Sequence, residues 1–86
     1  MKLEAAVVRE QGVDFVVVPV RRHVIANVAA ANATVEKFQR LFRGLPVVVT
    51  GVDAFGRKKA VGRQDLARFV ANIDHRRLPW KRYRIG

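Results

Sequence analysis

Neither cysteine nor serine occurs in this chain of 86 residues. The first absence excludes disulfides, thiolate metal sites and thiol catalysis. The second leaves Thr34 and Thr50 as the only aliphatic hydroxyls, so hydroxyl nucleophiles are scarce. His23 and His75 are too few and too far apart in sequence to suggest a metal site, and no metal or cofactor is expected. Asp14, Asp53 and Asp65 stand near turns or a helix start, where Asp serves the local backbone. No G-x-G-x-x-G, P-loop or H-E-x-x-H pattern is present. The chain is therefore not expected to be an enzyme, and no small-molecule substrate is evident. The RNA-recognition signature with its Gly-Phe-rich strand is also missing; Ala54-Phe55-Gly56-Arg57 only hints at it.

Long apolar runs are missing too. The longest, Phe15 to Val20, contains Pro19 and is far short of the about 20 residues a membrane span needs. The opening MKLEAAVVREQG carries Lys2, Glu4, Arg9 and Glu10 and lacks a signal-peptide core. A cytoplasmic protein without membrane contact is the expectation. Acid is the third scarcity: 7 Asp plus Glu face 17 Lys plus Arg, a formal net charge of +10. Half of the residues are apolar, which argues for a folded domain, and the length leaves room for one.

The positive charge is clustered. Arg57, Lys58, Lys59 and Arg63 lie between Asp53 and Asp65. The final HRRLPWKRYRIG holds Arg76, Arg77, Lys81, Arg82 and Arg84, with Trp80 and Tyr83 between them and no acid. Such clusters make a field that attracts polyanions. Arg offers bidentate contacts to phosphate, and Trp or Tyr can stack on an unpaired base. Trp80 and Tyr83 either stack in this way or pack back on the sheet while the charges stay solvated. The 57–59 cluster follows a tight turn, and its other reading is an edge strand protected by charge.

Leu3, Ala5 and Val7 alternate with Lys2, Glu4 and Ala6, as in a half-buried strand. After a turn at Glu10-Gln11-Gly12-Val13, VDFVVVPV is apolar on both faces, the pattern of a central strand covered on each side. Residues 21–25 either extend that strand or begin a connection. Val28, Ala31, Val35, Phe38 and Phe42 recur at spacings of three and four, a helical stripe beginning near Asn27 or Asn32 and ending at Arg43 before Gly44 and Pro46. PVVVTGV reads as a second buried strand, Asp53 to Gly56 as a hairpin turn, and Arg57 to Val61 as the returning strand. Leu66, Phe69, Val70 and Ile73 form a second helical stripe. The 46–73 hairpin and helix resemble the last portion of thioredoxin-like folds; the chain lacks that family's redox cysteines and the room for its first βαβ unit, so no family is assigned.

The expected fold is α+β, in the order β-β-α-β-β-α. It has a four-stranded, largely antiparallel sheet with two helices on one face. Residues 1–75 form the domain and 76–86 a basic aromatic tail, either a short fifth strand or disordered. The expected function is nucleic-acid binding through phosphates, RNA ahead of DNA, by Arg57, Lys58, Lys59, Arg63, Arg76, Arg77, Trp80, Lys81, Arg82, Tyr83 and Arg84. The alternative is a protein-interaction or homo-oligomeric module, because two very apolar strands call for more cover than two helices supply.

Overall fold

The computed structural model describes residues 2–84. Ile85 and Gly86 of the tail lie outside them. Five strands form one sheet: β1 (Lys2–Glu10), β2 (Val13–Pro19), β3 (Val47–Val52), β4 (Lys58–Val61) and β5 (Trp80–Arg84). Their order is β4-β3-β2-β1-β5. β2 and β3 are parallel, and every other neighbouring pair is antiparallel. Three helices complete the fold: α1 (Arg22–Ile25), α2 (Val28–Leu41) and α3 (Gln64–Asn72). A 3-10 turn at His75–Arg77 leads into β5.

The α+β class holds, and two details of the expectation are corrected. The sheet has five strands and is mixed, because α2 carries the chain back to the end of the sheet at which β2 began. A helix of 14 residues is about 21 Å long, roughly the length of the seven-residue β2, so the next strand runs parallel to the one before. The helices also lie on both faces of the sheet. Ala5, Val16, Val18, Val47 and Val49 pack with Ile25, Ala31, Val35 and Phe38 on one side. Ala6, Phe15, Val17 and Val48 pack with Leu66, Val70 and Leu78 on the other. Both helices on one face would have left Phe15, Val17 and Val48 bare, and all three are fully buried. β2 and β3 therefore find their cover within a single chain.

Local signals explain the elements. The Asn27 side chain accepts the Ala30 N–H at 3.0 Å and starts α2. Val28, though on the apolar stripe, stays 69 % exposed at the first turn, beyond the reach of the sheet. Arg21 to Ile25 form the connection rather than more strand. The short α1 drops Ile25 onto β3 at Gly51, where an added Cβ would stand 2.9 Å from the Val20 carbonyl and 3.2 Å from Ile25. Only glycine admits that approach. The tail joins the sheet: residues 80–84 pair with residues 2–6 of β1. No helix among the described residues is long and apolar enough to cross a membrane.

Candidate nucleic-acid interface

The parallel pair β2–β3 decides where the charge goes. Their carboxyl ends lie at one end of the sheet. Lys2 and Arg84 pair there, as do Val52 and Lys58. The Arg21-Arg22-His23 connection leaves β2 at this end, and the Asp53–Arg57 turn leaves β3. The far end of α3 arrives there too. The Lys58 ammonium donates to the Ile73 carbonyl, and His75 Nε2 lies 3.2 Å from the Thr50 hydroxyl. Arg76 and Arg77 follow directly.

Two clusters that are separate in sequence, 57–59 and 76–84, thus share one end of the sheet, running from its β4 edge to its β5 edge. They are joined by Lys2, Arg21 and Arg22, which the sequence reading left out. Arg21 and Arg22 are exposed, as are Arg57, Arg77, Arg82 and Arg84. A signal for them existed: a helix long enough to cross the sheet, set between two apolar strands, brings the residues after the first strand beside the turn after the second. Two expected residues stand apart. Arg63 sits at the start of α3, at the opposite end, 2.9 Å from Asp65. Lys81 points from β5 to the sheet face opposite Arg82, because neighbouring strand residues alternate.

Carboxylates are few here and mostly occupied. One Asp53 oxygen accepts the N–H groups of Phe55 and Arg57, each at 2.9 Å, and the other lies 3.6 Å from Lys59 Nζ. The Arg57 N–H, helped by Phe55 and Lys59 and opposed by burial, holds the Asp53 carboxyl below its ordinary range. Asp74 accepts from the Arg76 side chain and backbone, which lower its pKa in the same way. Glu4 faces Arg82 across the β1–β5 pair. Among the described residues, none of Lys2, Arg21, Arg22, Arg57, Arg77, Arg82 and Arg84 has an ion-pair partner.

The tail aromatics take the packing alternative. Trp80 Nε1 donates to the His75 carbonyl at 2.8 Å, and its ring meets the His75 ring edge-on. Tyr83 meets Phe42 edge-on at 5.8 Å on the other face. Both rings are half-buried. His75 itself is a structural link. The Thr50 hydroxyl donates to the Lys59 carbonyl at 3.0 Å, so it accepts from His75 Nε2–H. Burial, then the nearby Lys58 charge, push the His75 pKa below 6.5, against the pull of Asp74.

Among the described residues, no group of three or more His, Asp or Glu gathers as metal ligands. No family model, curated protein or solved structure matches the chain.

Proposed function

We propose that the chain binds nucleic acid, RNA ahead of DNA, through phosphate contacts at the carboxyl end of the β2–β3 pair. One observation carries the reading: Lys2, Arg21, Arg22, Arg57, Arg77, Arg82 and Arg84 share this end, and among the described residues none of them has an ion-pair partner. Such crowding costs stability through self-repulsion and is relieved by a polyanion. The form of this end favours RNA. None of these seven cations lies on α2 or α3, and α1 has four residues, so the candidate contacts are not carried by a long helix of the kind that reads a major groove. RNA offers loops and bulges whose phosphates and bases are open to a blunt cationic surface.

The test is equilibrium binding of an unstructured RNA strand over a range of salt. If the seven cations each neutralise a phosphate, log K against log salt has a slope of about −5. Absence of binding at low salt, where the attraction is strongest, defeats the reading. A second reading, self-association or an acidic protein partner, draws on Val28, Val52 and Phe55, exposed by 69 %, 44 % and 84 % at this same end. Light scattering that finds a monomer at every concentration removes self-association.

A further inference from the structure

Phe55 is the most exposed large apolar side chain among the described residues, at 84 %. It stands at the tip of the β3–β4 turn, on the β4 edge of the cationic end. The turn beneath it is firmly built. Asp53 holds the Phe55 and Arg57 N–H groups on one carboxylate oxygen, and the Asp53 N–H and carbonyl bond to Arg57 and Gly56. The ring is thus presented on a fixed base rather than on a loose loop. The Arg57 guanidinium lies over one face of the ring, 5.9 Å from its centroid, which puts a phosphate-binding group next to the ring and leaves its opposite face for a base. No packing role occupies the ring. Trp80 and Tyr83, by contrast, are half-buried and packed against the two core clusters.

We propose that Phe55 stacks on an unpaired base of the bound strand, while Arg57 takes the adjoining phosphate. The proposal rests on the nucleic-acid reading above and deepens it to single-stranded segments. A free aromatic face beside a cation is the arrangement that grips single strands without demanding a sequence, since every base has a π-face. A base within a duplex is already stacked and offers no such partner, so Phe55 adds nothing to duplex binding. The positive field around the turn selects a polyanion over a neutral apolar partner.

The test uses the full chain and its Phe55→Ala and Phe55→Tyr variants, with labelled oligouridine as the single strand and a fully paired RNA as the duplex. Phe55→Ala weakens oligouridine binding about fivefold to a hundredfold, the value of one stacked base. Phe55→Tyr, which keeps the face, restores it. Duplex binding and the salt slope stay as in the parent chain, because no charge is removed. The thermal midpoint is also unchanged, because the ring is exposed. If Phe55→Ala binds oligouridine as the parent does, stacking is overturned and the phosphate reading survives. If both RNAs weaken together with the midpoint, the tip is structural and the proposal fails. If the parent binds neither RNA, both readings fall. Phosphatidylcholine vesicles containing phosphatidylglycerol are the control: Phe55-dependent vesicle binding with Phe55-independent RNA binding overturns the proposal in favour of an anionic membrane surface.

Discussion

The two ends of the sheet are built from similar side chains and differ in balance. At the amino end of β2–β3, Arg9 and Arg63 meet acids, while Arg40 and Arg43 have no ion-pair partner among the described residues. Arg9 lies 3.6 Å from Asp14 across the β1–β2 hairpin, and Arg63 lies 2.9 Å from Asp65 at the start of α3. At the carboxyl end, two of the three acids are tied into backbone turns, and among the described residues most arginines have no ion-pair partner. Total charge does not distinguish the two ends; what distinguishes them is which charges the topology gathers and which it leaves unpaired.

The comparison breaks most visibly in binding. Replacing Arg21, Arg22, Arg82 and Arg84 together by Ala removes four unpaired cations from the carboxyl end. The salt slope on a single strand then flattens by about 2.8, at about 0.7 per phosphate contact. The same change at Arg9, Arg40 and Arg43 moves the slope by less than about 0.7. Equal effects from the two sets, in titrations at matched salt, erase the distinction between the ends. Because phosphate contacts position without specifying, the loss is alike across RNA sequences.

A second substitution separates packing from binding within the carboxyl end. Trp80→Ala removes a half-buried ring and its hydrogen bond to His75. It lowers stability by about 2–4 kcal/mol in denaturant titrations. Among the molecules still folded, the salt slope is unchanged, since no cation is lost. Weakened binding with an unaltered denaturation midpoint reverses the assignment and places Trp80 with Phe55.

The strands and the two long helices were legible because each is marked by period and punctuation. Alternation marks β1, runs of valine mark β2 and β3, and stripes at three and four mark α2 and α3. The arrangement of the elements was less legible. VDFVVVPV announced cover on both faces, yet a tally of hairpins suggested an antiparallel sheet with helices on one side. The length of α2 is what overrides that tally, by returning the chain parallel to β2. The same step explains the partial reading of the site. Arg57 to Lys59 and the tail stood out as clusters, whereas Arg21 and Arg22 are two residues whose meaning comes from landing beside the Asp53–Arg57 turn. Trp80 and Tyr83 stood out by composition, while the exposed ring, Phe55, stood in a turn that composition does not mark.

A pH titration sharpens the comparison further, because both histidines belong to the carboxyl end. The His75 pKa is lowered on folding, from an ordinary value of 6.5. Its contribution is therefore fully present above about pH 6.5 and is lost as pH falls through the folded value. Asp53 and Asp74 are also lowered, from 3.8, and their contributions persist until pH drops below that value. The thermal midpoint of the parent chain thus declines between about pH 6.5 and pH 4. His75→Gln, which keeps a donor for Thr50, shows a smaller decline over the same window. Parallel curves for the two chains remove His75 from the account.

The smallest effect is expected where the sequence placed a binding residue and the structure placed an ion pair. Arg63 and Asp65 are each about half exposed, and such a pair contributes about 0.2–1 kcal/mol. Arg63→Gln therefore shifts the denaturation midpoint by little. Asp65 keeps its favourable place in the first turn of α3, where its charge offsets the helix dipole without help from Arg63. RNA binding keeps its salt slope, because Arg63 lies at the end of the sheet remote from Arg21, Arg57 and Arg84. A slope that flattens by about 0.7 in this variant alone extends the phosphate path along the α3 side of the sheet, from Arg76 past Arg68 to Arg63, and makes the interface a face rather than an end.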